Sequence, residues 1–140
     1  MFDVCVLVGV VLLATVPFLH KAFHVDDVYY LQVARHILED PWRPYDFTWI
    51  AEGRVHDAFE NDWSPPLFKY VLAVGLWAFG ESEVMLHGIM ALFTACVAGS
   101  MYAISLRFSP WPLGTTAMVV LSPLFVPSQN LMLDVPMLAL

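Results

Sequence analysis

The chain of 140 residues is 59% hydrophobic with a mean hydropathy of +0.68, which excludes an ordinary soluble domain and points to an integral membrane protein. A formal net charge of −7 at pH 7 excludes nucleic acid as a partner. Polar sequence is confined: most acids and nearly all Lys/Arg fall between His20 and Glu83, with only Asp3, Arg107 and Asp134 outside that stretch.

The first apolar run, Val4 to Leu19, reads as a membrane helix over residues 1–20. A cleaved signal peptide fits less well: there is no basic start, Asp3 has the wrong charge, and no small-residue cleavage site precedes His20. Pro17 marks the exit. The run is slightly short for the ~20 residues that span a bilayer; Met1 and Phe2 lengthen it, and a missing upstream start would do so further. Cys5 and Cys96 sit inside apolar runs and read as small buried hydrophobes; neither a disulfide framework nor a zinc spacing is present.

Residues 21–83 read as one external loop holding two interfacial helices. The first starts at Asp26 or Asp27, either of which makes a good N-cap, and runs to about Glu39, before Pro41. Tyr30, Val33, Ala34, Ile37 and Leu38 follow helical spacing, so the helix is amphipathic and suited to lie flat on a membrane. A proline-punctuated turn with interfacial aromatics follows over Pro41–Phe47. The second helix is Leu67–Phe79, entered through Pro65-Pro66 and bounded by Gly80. At 1.5 Å per residue it reaches only about 20 Å, against a hydrocarbon core of ~30 Å. It therefore reads as interfacial, with Tyr70 and Trp77 as anchors.

Residues 84–106 are the next crossing, closed by Arg107, whose short turn suits the cytoplasmic side. Residues 112–127, between Pro112 and Pro127, are expected to return outward. Residues 128–134 form a second external loop, and 135–140 begin a further apolar segment. With these crossings Asp26, Asp27 and Asp134 share one membrane face. The expected fold class is therefore all-α: a polytopic membrane protein with interfacial helices in its first external loop.

The acids carry the functional reading, because carboxylates interrupting membrane-grade sequence are costly. Asp26 and Asp27 are either a helix N-cap with a solvated neighbour or a pair that positions and deprotonates a hydroxyl at the positive end of a helix. Asp134, in Leu133-Asp134-Val135-Pro136, is either an interfacial N-cap or a second polar contact for substrate or metal. No cofactor is expected. A divalent ion held by His24, Asp26 and Asp27 is the one conceivable metal site, and its spacing is not diagnostic. His87 reads as an interfacial contact. Glu60-Asn61-Asp62-Trp63-Ser64 is a second dense polar patch. Lys69, just inside the second interfacial helix, either snorkels to lipid headgroups or pairs with a lipid phosphate.

Together these residues resemble the N-terminal part of the C-type membrane-embedded glycosyltransferases, in the branch of the dolichyl-phosphate-mannose–protein mannosyltransferases and aminoarabinose transferases. The matching pattern runs in order from the first apolar helix to Asp26-Asp27, then Ala34-Arg35-His36-Ile37-Leu38-Glu39-Asp40-Pro41 and Tyr45-Asp46-Phe47. It continues through Pro65-Pro66-Leu67, Phe79-Gly80-Glu81-Ser82-Glu83 and Leu121-Ser122-Pro123 to Leu133-Asp134-Val135-Pro136. The resemblance implies inverting transfer of a sugar from a polyprenyl-phosphate donor to an acceptor lipid, glycan or protein at the external face. It implies Asp26 as base, Asp27 as its partner, and Asp134 as the acid of the second external loop. Tyr30, Asn61, Asp62 and Lys69 are the expected substrate contacts. Ser64 stands where many relatives carry His, Glu or Asn near Pro-Pro, which leaves Asp62 or Asn61 to fill that polar role, or the role unfilled. Relatives are several times longer, so the chain is expected to be an N-terminal fragment, inactive alone, of a multi-pass protein of the bacterial inner or plasma membrane. The rival from another class is a non-enzymatic transporter or scaffold with intramembrane acids.

Overall fold

The computed structural model of the chain describes residues 2–51, 53–61, 64–123, 125, 130–131 and 133–139, with the backbone alone at Val25, Ala51 and Asn61. The described chain is mostly helical. Its elements are α1 (Phe2–Thr15), a 3-10 turn (Val16–Phe18), α2 (Val25–Glu39), β1 (Thr48–Ala51), β2 (Arg54–Asp57), α3 (Ala58–Asn61), α4 (Leu67–Phe79), α5 (Glu83–Phe108), α6 (Pro112–Val120) and α7 (Asp134–Ala139).

Among the described residues one helix, α5, is long and apolar enough to cross a membrane. Its 26 residues give about 39 Å of axis against a ~30 Å hydrocarbon core. Two expected crossings are shorter as helices. Helix α1 gives way after Thr15 to the 3-10 turn, because Pro17 has no amide hydrogen to continue the ladder. Of the segment expected over 112–127, α6 covers Pro112–Val120, and Leu121 and Ser122 then close in a turn ahead of Pro123; residues 124 and 126–127 lie outside the described residues. Proline removes a donor and bars the helical conformation at the residue before it.

Helix α5 is the spine, packed against α1, α4, α6 and α7. Tyr102 near its end donates to Asp3 Oδ2 at 2.5 Å, and His87 near its start stacks on Phe23 at 6.0 Å. Helices α1 and α5 are thus antiparallel, and the chain leaves α1 beside the start of α5. The apolar outer faces stay uncovered: Val8, Leu12 and Leu13 of α1, Leu92, Ile104 and Leu106 of α5, and Met118 of α6 are all exposed.

The polar segment 21–83 folds over the end of the bundle where α1 exits and α5 begins. Helix α2 packs on α4, and α4 on α5. Leu31, Val33, Ala34 and Ile37 of α2 are buried with Phe68, Leu72, Ala73 and Leu76 of α4. Burial of each large side chain contributes about 1.5–3 kcal/mol, which holds α2 and α4 together. Gly80 stops α4 at φ 67, a conformation that a residue with a Cβ adopts at a cost. Arg35 Nε reaches Glu81 Oε1 at 2.7 Å, tying α2 to the α4–α5 turn on the surface.

Three elements have no counterpart in the expected order: the short helix α3 and the strands β1 and β2. The strands form an antiparallel hairpin in which Trp49 faces His56 and Ile50 faces Val55. The hairpin docks on α2 through Trp49, whose ring lies 4.7 Å from that of Tyr29.

Candidate functional site

The N-cap of α2 lies two residues before Asp26 and three before Asp27, the two expected caps. His24 is the N-cap, and its Nδ1 takes a long bond of 3.5 Å from the Asp26 amide. Asp27, three residues on, reaches back so that its Oδ2 accepts the His24 amide at 2.7 Å. This reciprocal cap satisfies two of the free N–H groups at the helix start. The other oxygen of Asp27 points inward: Oδ1 accepts the Leu131 amide at 2.9 Å. Asp27 is 0% exposed, so its charge rests on two backbone donors and on the positive end of α2. Lys21 Nζ donates to Asn130 Oδ1 alongside. The segment before Asp134 is therefore fastened at two adjacent residues to the segment that opens α2.

The two acids part company here. Asp26 is solvent-facing, with its side chain 56% exposed. Its Oδ2 lies 3.4 Å from His24 Nδ1. A carboxylate so placed can accept a proton from a hydroxyl brought to it. Asp27 cannot touch a ligand from its buried position.

Asp134 is exposed at the first residue of α7. Chain geometry keeps its Cα within about 11 Å of the Leu131 Cα. It lines a cavity of about 550 Å³ with Val119, Ser122, Phe125, Val135 and Met137, among others. The lining is apolar apart from Asp134 and Ser122. The acids of both predicted external loops thus lie toward one end of the bundle.

Lys69 differs from both expectations for it. Rather than reaching toward lipid, it is 0% exposed. Its Nζ donates to Ser64 Oγ at 2.6 Å and to the Tyr45 hydroxyl at 3.0 Å. It lies 5.0 Å from the Tyr30 ring centre and 4.9 Å from that of Tyr45. Tyr45 in turn donates to the Ser64 carbonyl at 2.7 Å. The ammonium is a buried post joining α2, the 41–47 turn and the Pro-Pro entry to α4. Tyr30 belongs to the same post. Its burial follows from a first-turn position on α4 facing α2, which the charge alone does not signal. The Asn61 side chain and all of Asp62 lie outside the described residues.

No three His, Cys, Asp or Glu side chains among the described residues form a group arranged to hold a metal, and His24, Asp26 and Asp27 do not converge on one point. His87 is buried at 3% exposure, with Nδ1 2.8 Å from the Glu83 carbonyl. It is packed beneath Phe23. The sequence reading missed Lys21, Asn130 and the Leu131 amide. A backbone donor carries no sequence signal, and the pairing of Lys21 with Asn130 spans more than a hundred residues.

No family model, no curated protein and no solved structure matches this chain.

Proposed function

We propose that this chain is part of an inverting glycosyltransferase that moves a sugar from a polyprenyl-phosphate donor to a hydroxyl acceptor at the external face of a membrane. Asp26 takes the proton of the acceptor hydroxyl. The acceptor oxygen then bonds to the anomeric carbon, and the bond from that carbon to the polyprenyl phosphate breaks, releasing the lipid phosphate. Asp27 acts through Leu131 as a positioning residue, holding the segment that carries Asp134 beside Asp26. Asp134 orients acceptor or donor.

The observation that carries this reading is the division of labour between adjacent acids. Asp26 is exposed while Asp27 is buried on the Leu131 amide, 104 positions away in sequence. A pair serving only as a helix cap needs no such tie to a second loop. The acids also stand in the first turns of α2 and α7, at helix ends. A transporter is expected instead to set its acids at broken helices near the bilayer midplane.

In this reading the protein is multi-pass, with α1, α5 and α6 in lipid. The exposed apolar faces of these helices support it, since a water-soluble monomer seldom leaves such large continuous apolar surface uncovered. Trp42 and Trp77, 92% and 79% exposed, suit the headgroup level beside α2 and α4.

The test is transfer from donor lipids carrying a radiolabelled sugar, offered to the full-length protein in nanodiscs. Label moving from the lipid phase to an acceptor supports the reading. Active membranes that cleave none of a panel of polyprenyl-phosphate sugars would overturn it.

A further inference from the structure

His24 Nδ1 meets two groups of Asp26. The Asp26 amide donates to it from 3.5 Å, and Asp26 Oδ2 lies 3.4 Å away. An imidazole nitrogen carries a lone pair or a hydrogen, not both. With its lone pair free, Nδ1 accepts the amide and caps α2. That state requires the neutral tautomer whose hydrogen sits on Nε2, and it sets two acceptors, Nδ1 and Oδ2, against each other. With a hydrogen on Nδ1, the ring donates to Oδ2 instead, and the amide loses its side-chain cap. The two bonds are alternatives, and one proton selects between them.

The surroundings leave that proton free to come and go. The His24 and Asp26 side chains are 50% and 56% exposed, so water reaches both. Histidine is the residue type that gains and loses a proton near neutral pH. The neighbouring charges are otherwise engaged. Both oxygens of Asp27 accept backbone amides, from His24 and Leu131. Lys21 bonds Asn130, and His87, beneath Phe23, bonds the Glu83 carbonyl. Asp134 stands in the first turn of α7. Among the described residues, Asp26 is the one carboxylate paired with the His24 ring.

We propose that His24 is a proton-operated switch on Asp26. Neutral His24 caps α2 and leaves the Asp26 carboxylate free; protonated His24 pairs with it. The consequence for transfer rests on the reading of Asp26 as the base. A carboxylate paired with a cation holds its charge more firmly and takes a proton from a hydroxyl less readily. Transfer at the external face therefore slows as the medium outside turns acidic.

The test has two arms, both on the full-length protein in nanodiscs. In the first, nitrogen NMR of isotope-labelled histidine follows His24 across pH with no sugar donor present, its signal assigned by its loss in His24→Asn. Asp26→Asn removes the partner charge, and the His24 ring should then hold its proton about two- to fivefold less tightly, the worth of an exposed ion pair. In the second, single-turnover transfer is measured at about pH 8 and about pH 5.5, either side of the range in which histidine changes charge. The ratio of the two rates should be about two- to fivefold larger in wild type than in His24→Asn, because asparagine caps a helix and carries no proton. A His24 that only caps α2 would move neither readout. Proton binding by His24 that is indifferent to Asp26→Asn, or equal rate ratios in wild type and His24→Asn, would overturn the proposal. Altered proton binding in a wild-type protein that transfers nothing would sink the base reading alone and leave the switch standing.

Discussion

Asp27 and Leu131 are joined by a 2.9 Å bond from a backbone amide to a carboxylate oxygen. The carboxylate is fully buried, so this bond is a fixed joint between the opening of α2 and the segment leading to α7. Asp134 follows Leu131 by three residues, so the joint keeps its Cα within about 11 Å of a residue bonded to the start of α2.

Removing the joint should loosen this end of the bundle. Asp27→Asn keeps one acceptor but turns a second donor toward an existing N–H, and is expected to cost about 2 kcal/mol. Asp27→Ala leaves both amides unmet and should cost more. Dipolar broadening between spin labels at positions 26 and 134 reads the geometry. Broadening for a separation on the order of 10 Å, the scale of a ligand pocket, is expected with Asp27 intact, and its loss in the Ala variant. Unbroadened spectra with Asp27 present would contradict the shared site.

Lys69 is expected to matter for stability more than for substrate. Lys69→Ala removes two donations from a buried cluster, at a cost of about 1–3 kcal/mol, and should lower the unfolding midpoint of the nanodisc-embedded protein. Lys69→Arg should not restore it, because the broader guanidinium does not fit among Tyr30, Tyr45 and Ser64. A Lys69→Ala protein of normal stability that has lost only donor affinity would return Lys69 to the lipid phosphate.

The topology has its own check. Ser82 is the N-cap of α5 and its side chain makes no capping bond, so Ser82→Cys should be benign in a background lacking Cys5 and Cys96. Labelling by an impermeant maleimide from outside intact cells is expected. Labelling from the cytoplasmic side alone would mean that α4 crosses the membrane.

The elements legible in the sequence are those whose ends are set locally. Leu67–Phe79 stands as expected, since Pro65-Pro66 and Gly80 punctuate it. Helix α2 is displaced by two residues at most because Pro41 bounds it and its apolar period is regular. The hairpin was legible but unread: Thr48-Trp49-Ile50 and Arg54-Val55-His56 alternate around Gly53, which takes φ 74 at the turn. Each strand is only four residues long, too short for its alternation to stand out from an aromatic-rich loop. The roles of Asp26 and Asp27 could not be separated from sequence. They are one residue and about 100° apart on a helix, and which of them is buried depends on the distant 130–131 segment.

Asp26, the exposed member of the pair, is proposed to remove the acceptor proton. Asp26 is the second residue of α2 and its carboxylate accepts no backbone amide bond among the described residues, so Asp26→Asn should cost less than about 1 kcal/mol of stability, the worth of an exposed charge at a helix N-terminus. A general base contributes about 10²–10⁴ in rate. The decisive measurement is the single-turnover rate of sugar transfer from a polyprenyl-phosphate donor by Asp26→Asn protein, beside wild type of equal expression and unfolding midpoint. A fall of at least about a hundredfold is expected; a rate within a few-fold of wild type would remove Asp26 as the base.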